Sequence, residues 1–305
     1  KLVQDFKPKK IAVAFDVARE TFRNKIYKDY KANRHSPPED LIPQFSLIKD
    51  ATKALGLPIL ELEGYEADDI IATFCKKAHL DKKNVIIVSS DKDLMQLVDN
   101  KTVMLDPMKH KWIDIKAVEE KFGVKPNKVI DVQALAGDPS DNIPGVPGIG
   151  PKIAAELINQ FGDLSNLLFN AKTIKQNKRR ENLENFQDQA LISKELVTLK
   201  NDVPIKSNLS NILFDRKINS PELIKFLKKN SFKRILERFD NTSKDLSPKD
   251  QNSKEIITQN IDFNNRSKNY ELILDLDQLN EFILKIRDKN IIAIDCETDS
   301  LDPVS

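Results

Sequence analysis

The chain has 305 residues, 40% of them apolar and 31% charged, with a net charge of +2. A negative mean hydropathy, and no apolar run near the roughly 20 residues a span needs, exclude a helical membrane protein. Its two cysteines, Cys75 and Cys296, lie far apart and define no disulfide framework, so a cytoplasmic, reducing setting is expected.

The opening Lys1-Leu2-Val3-Gln4 reads as the inside of a helix and not as a secretory leader, so further residues upstream are expected. Residues 1–36 hold ten basic and four acidic side chains. Ile11–Phe15 is a short apolar run ending at Asp16, the pattern of a buried parallel strand. From Thr21 to Arg34, bases (Arg23, Lys25, Lys28, Lys31, Arg34) interleave with Phe22, Tyr27 and Tyr30. Cations there could clamp phosphates while the rings stack on unpaired bases. A basic amphipathic helix with its aromatics packed inward explains the same pattern.

Amphipathic stretches at about 39–55 and 67–78 have the length of crossover helices. Between them, residues 61–69 carry five acids and no base, ending in Glu66-Ala67-Asp68-Asp69. Val85–Val88 repeats the strand pattern and leads into Ser89-Ser90-Asp91-Lys92-Asp93. Alternating strands and helices predict an α/β domain with a mostly parallel sheet, whose function gathers at the carboxyl ends of the strands.

After Lys116 the reading is helical to about residue 240. Gly137-Asp138-Pro-Ser-Asp141-Asn-Ile-Pro supplies two more acids, and turn or N-cap roles would account for both. The next segment carries Gly145, Gly148 and Gly150, then Pro151 and Lys152 at the start of a helical pattern. Glycines there permit a tight turn, proline suits the first helical position, and the exposed N–H groups suit a phosphate. Such a hairpin grips a DNA backbone without reading sequence. Residues 172–180 add five bases and no acid. A polar, lysine- and asparagine-rich stretch at 241–269 reads as a linker, and 270–305 begins a fresh β–α–β pattern.

Eight carboxylates thus punctuate the first half: Asp16, Glu66, Asp68, Asp69, Asp91, Asp93, Asp138 and Asp141. Singly each is explained by a cap or a turn. If they converge, they repel one another unless cations sit between them, and an all-oxygen set suits Mg²⁺ or Mn²⁺.

In order and spacing, these segments resemble the 5′-nuclease family found in bacterial DNA polymerase I and related to flap endonucleases. The resemblance rests on Phe15-Asp16, Thr21-Phe-Arg23, Tyr30-Lys31-Ala-Asn-Arg34, Gly64-Tyr-Glu-Ala-Asp-Asp69, Ser90-Asp-Lys-Asp-Leu94 and the 137–150 segment. It implies a PIN-like α/β core, a helical arch and a helix–hairpin–helix region, with domains at 1–116, 117–240, a linker at 241–269 and a further domain beginning at 270–305. The implied chemistry is two-metal hydrolysis of DNA at 5′ flaps, nick junctions or RNA-primer hybrids during replication and repair, by a nucleoid-associated monomer.

By position in that family, the eight carboxylates bind or orient two Mg²⁺ ions, and Arg23, Lys31 and Arg34 polarise the phosphate. Tyr30, Gly145, Gly148, Gly150 and Lys152 contact DNA. Asp295 and Glu297 resemble the first two metal carboxylates of a 3′–5′ exonuclease domain. The family begins with one more strand and metal-binding aspartate than this sequence shows, so weak activity of this stretch alone is expected. Two other readings fit the residues: an inactive junction-DNA-binding module, and a PIN-type ribonuclease.

Overall fold

The computed structural model describes residues 2–214, 220–237 and 273–287. Two compact units divide the chain, Lys1–Leu246 and Ser247–Ser305. In the first, α1 (Leu2–Phe6) leads to β1 (Val13–Ala14), which pairs in parallel with β2 (Ile59–Leu60), Val13 opposite Ile59. Between them run α2 (Phe22–Ile26), a stretch of turns, and α3 (Ile42–Ala54). A second sheet holds β3 (Val85–Val88), β4 (Thr102–Asp106) and β5 (Lys111–Ile113), with β3 parallel and β5 antiparallel to β4.

Among the described residues, the expected mostly parallel sheet is divided into two small sheets, one with an antiparallel edge. Ile11–Phe15 yields only two residues of strand. The expectation that such strands are buried on both faces needs correction in β3. Ile87 is buried, but Ile86 and Val88, pointing the other way, are 43% and 42% exposed.

The helix α4 (Ala67–Leu80) packs against both β1 and β3. Its spacing explains this double role. Ile70, Phe74 and Ala78, one turn apart, join Leu60, Val203, Leu209 and Ile212 in one core. Ala72 and Cys75 face a larger core shared with Ile87, Leu94 and Met104.

That larger core continues into the helical region: α5 (Ile115–Phe122), α6 (Val129–Ala136), α7 (Pro151–Phe161), α8 (Leu164–Phe169), α9 (Asn177–Asn185) and α10 (Gln187–Val197). Apolar α6 packs against α7 and α10, with Val129, Val132, Ala134 and Leu135 at most 1% exposed. Each such buried valine or leucine side chain contributes about 1.5–3 kcal/mol. α11 (Pro221–Lys229) packs on α3, Leu223 and Leu227 meeting Ala54. The described part of the second unit carries α12 (Leu276–Ile286), capped by Asp275, whose carboxylate accepts from the Gln278 N–H at 2.8 Å. Asp295 and Glu297 lie outside the described residues. Among the described residues, no helix is long and apolar enough to cross a membrane.

Candidate active site

Parallel strands place their carboxyl ends on one edge of a sheet, and the acids follow those ends. Asp16 comes two residues after β1 and accepts from the Ala67 N–H at 2.7 Å, tying it to the start of α4. Glu66 is the N-cap of α4, in a reciprocal capping box with Asp69. Asp91 and Asp93 follow β3, and the Asp91 carboxylate accepts from the Asp93 N–H at 2.9 Å.

Resident cations divide the eight carboxylates into two sets. Asp69, fully buried, takes both terminal nitrogens of Arg23 at 2.7 and 2.8 Å. It also accepts from the N–H groups of Glu66 and Lys200. Glu66 accepts from Lys31 Nζ at 2.8 Å and from the Tyr30 hydroxyl at 3.3 Å. Asp141 pairs with Lys31 at 3.5 Å and with Arg34. Asp138 pairs with Lys92 at 2.6 Å and accepts from the Ser140 N–H. Burial opposes ionisation of Asp138, but these two donors hold its carboxyl below the usual range.

The other set, Asp16, Asp68, Asp91 and Asp93, makes no ion pair among the described residues. Burial pushes the Asp68 carboxyl up to about 8, helped by the charges of Asp91, Glu66, Asp16 and Asp93. Burial and Asp91 likewise push Asp93 up to about 6, against a hydrogen bond from Gln133 Nε2 at 2.6 Å. Gln133 Oε1 is left buried and without a partner beside them among the described residues. No three Asp, Glu, His or Cys side chains of the described residues are close enough to form a ready-made metal cage. Asp68 lies near enough to the other three for their charges to oppose its ionisation, and the carboxylates of this set are hard oxygen donors, the kind a divalent cation takes.

Several expected roles need correction. Arg23 is 1% exposed, and besides Asp69 it donates to the carbonyls of Leu196 and Thr198. Four of its five N–H donors are engaged there and Nη1 also lies 3.6 Å from Glu66, so the buried guanidinium braces α4 against the end of α10. Asp69 has both oxygens saturated and serves the same brace. Tyr30 is 5% exposed, packed with Ile143, Leu196 and Val197, so it presents no free stacking face. The inward-packing explanation prevails for this ring. Lys31 and Arg34 do border the acids, with side chains 17% and 53% exposed.

The hairpin glycines differ too. Gly145 (φ +62°) is buried against Gly137, where a Cβ would lie 2.4 Å from the Gly137 nitrogen. Its N–H donates to Ser193 Oγ at 3.0 Å and its carbonyl accepts from Gln189. Gly148 and Gly150 are exposed, and no other described residue engages their N–H groups. Pro151 takes the first position of α7, and Lys152 beside it is exposed.

Two residues that sequence reasoning passed over belong to the site. Lys92 was in view between Asp91 and Asp93, but its partner lies 46 residues away. Gln133 sits within α6 and carries no local signal of its contact with Asp93.

Residues 1–123 match the family described as 5′–3′ exonuclease, N-terminal resolvase-like domain, and residues 124–220 match its C-terminal SAM fold. DNA polymerase I of Rhizobium leguminosarum is 52% identical over 231 residues, covering 76% of this chain and 23% of that protein. The chain spans between 23% and 34% of the length of such curated relatives. Among solved structures, T5 5′-exonuclease with bound zinc superposes with a TM-score of 0.60 at 25% identity, covering 65% of this chain and 78% of that one. The bacteriophage T5 flap endonuclease, in a pseudo-enzyme–product complex with DNA and metal ions, gives 0.59 at 25% identity, covering 65% and 77%.

Proposed function

We propose that this chain, which belongs to the 5′–3′ exonuclease family, hydrolyses phosphodiesters of DNA near a 5′ end where single and double strands meet. The observation that carries this reading is the quartet Asp16, Asp91 and Asp93 after strand ends and Asp68 in the first turn of α4, without an ion pair among the described residues, while Lys31 and Arg34 pair with the neighbouring acids Glu66 and Asp141. Two Mg²⁺ ions are the proposed occupants, held by these four carboxylates with Glu66, Asp138 and Asp141 at the margin. Bound there, divalent cations supply an acidified water and positive charge at the scissile phosphate.

The chain's own groups do the rest. Lys31 and Arg34 are long side chains already balanced against Glu66 and Asp141, and a phosphate entering between them offers a competing anion. They stabilise charge developing on its oxygens. Gly148, Gly150 and the start of α7 present N–H groups and Lys152 to the duplex backbone, without selecting sequence. Flaps and RNA-primer hybrids are the proposed substrates, in bacterial replication and repair, and a cytoplasmic monomer the proposed form.

The test is a 5′-labelled flap DNA incubated with Mg²⁺ and either the full-length wild-type protein or its Asp91→Ala variant. Cleavage near the 5′ end by the wild type, abolished in the variant while DNA binding persists, is the expected result. No cleavage by the wild type would sink the assignment. Faster cleavage of single-stranded RNA than of flap DNA would favour a ribonuclease.

A further inference from the structure

Gln133 is a polar side chain buried in apolar company. It belongs to α6, where its neighbours Val132 and Ala134 are 1% and 0% exposed, and it is itself 5% exposed. Its Nε2 donates to Asp93 Oδ1 at 2.6 Å, while Oε1 of the same amide is buried and has no partner among the described residues. We infer that Gln133 is a positioning residue of the acidic site. Its Nε2 fixes the Asp93 carboxylate by Oδ1, leaving Oδ2 for a divalent cation, and its Oε1 accepts from that cation's water of hydration. This role rests on the divalent-cation part of the proposed function, and not on the choice of nucleic acid.

The placement is rigid. α6 packs against α7 and α10, and the Gln133 carbonyl accepts from the Gly137 N–H at 2.8 Å, closing the helix just ahead of Asp138. Asp138 in turn pairs with Lys92 at 2.6 Å, so residues 92 and 93 are both clasped to α6 and the turn that follows it. The backbone of Asp93 has separate anchors. Its N–H donates to Asp91 and its carbonyl accepts from Gln96 Nε2, each at 2.9 Å. Among the described residues Gln133 alone donates to the Asp93 carboxylate, so this bond selects which of the two oxygens stays available.

Chemistry settles how the amide lies. An ionised carboxylate only accepts, so the N–H group faces it and the carbonyl oxygen faces elsewhere. A buried oxygen without a donor weakens a fold, and methionine would fill the same length without that cost. Sharing one amide with Nε2, Oε1 stands within a single water's span of the Asp93 carboxylate. Mg²⁺ gives up its waters reluctantly and is held by a few carboxylates with waters completing its shell. Those waters need acceptors, and an oxygen fixed beside a ligand carboxylate is one.

The full-length wild-type protein is compared with Gln133→Met and with a control, Gln96→Met, which loses bonds to the Asp93 and Val197 carbonyls but leaves the carboxylate untouched. The readouts are melting in EDTA, Mg²⁺ affinity by isothermal titration calorimetry, and the Mg²⁺ concentration that half-saturates flap cleavage. Cations bound elsewhere on the protein contribute alike to wild type and variants, so the differences isolate this site. Gln133→Met should melt in EDTA no lower than the wild type, yet bind Mg²⁺ about tenfold to a hundredfold more weakly, the usual loss on removing an outer partner of a metal site. The half-saturating concentration should rise by the same factor. Gln96→Met should melt lower and lose much less affinity. Unchanged Mg²⁺ affinity in Gln133→Met would overturn the inference, because a buried water independent of the cation would then satisfy Oε1. Equal losses of affinity in the two variants would overturn it as general loosening. A wild-type crystal grown with Mg²⁺ decides without any variant: a water on the ion should lie within hydrogen-bond distance of Oε1, and a protein donor or no donor there overturns the role. Wild type that binds Mg²⁺ in this way but leaves flap DNA uncut would remove the nuclease reading and leave this inference standing. Wild type without affinity for Mg²⁺ would remove both.

Discussion

The Arg23 guanidinium and the Asp69 carboxylate meet end-on, Nη1 and Nη2 donating at 2.7 and 2.8 Å, with 1% and 0% of their side chains exposed. This bidentate pair joins the segment after β1 to the first turn of α4, which carries Glu66 and Asp68. It aligns the site from beneath.

Breaking the pair leaves a buried charge alone. Arg23→Ala and Asp69→Ala should each cost about 3–5 kcal/mol, the usual penalty for removing one partner of a buried ion pair. Urea unfolding followed by the fluorescence of Trp112, the single tryptophan, measures this. A loss under about 1 kcal/mol with abolished metal binding in Asp69→Ala would make that residue a ligand instead.

The quartet sets a pH dependence. In the folded state the carboxyls of Asp68 and Asp93 lie at about 8 and about 6, above their ordinary values. A carboxyl raised by folding binds more protons in the folded state than in the unfolded one. Without divalent cations, stability should therefore fall as pH rises from about 4 to about 8. Asp68→Asn should flatten much of that slope. Thermal melts in EDTA across this range decide it, and stability rising over the window in the wild type would contradict the charge balance described. Mg²⁺ should stabilise most at the alkaline end, because it binds the deprotonated carboxylates.

Lys31 lies 2.8 Å from Glu66 and 3.5 Å from Asp141, and the proposed function has it act on the phosphate. Lys31→Ala should lower the single-turnover cleavage rate by roughly 10²–10³, as loss of one charge-stabilising donor does. Affinity for flap DNA should change much less. A loss confined to affinity would make Lys31 a binding residue only.

Gly145 and Gly150 should respond differently to alanine. At Gly145 a Cβ meets the Gly137 backbone at 2.4 Å and φ is +62°, so Gly145→Ala should cost about 2–4 kcal/mol. At Gly150 there is open space and an extended backbone, so Gly150→Ala should cost under about 1 kcal/mol. If Gly150 admits a phosphate close to the main chain, its variant should still bind DNA more weakly. Melting and anisotropy measurements on the same two variants separate packing from contact.

Much of the architecture was legible because its signals are local. Val85–Val88, the helix at 67–80 and Pro151 opening α7 follow from periodicity and capping, which act over one or two turns of chain. The short strands β2 and β5 were not read, since a strand of two or three residues has too little length to show a period, and the five-residue β4 was not read either.

What the sequence determined by itself is where acids follow strands or open helices, and where a glycine-rich turn leads into a helix begun by Pro151, because residue type and near spacing set both. Only the tertiary structure decided how the charges are shared out. Asp69 went to Arg23, Asp138 to Lys92 and Asp141 to Lys31 and Arg34, while Asp16, Asp68, Asp91 and Asp93 were left without a cation. The reason is physical: an ion pair depends on distance in space and on burial, and these partners are brought together from 46 or more residues apart along the chain.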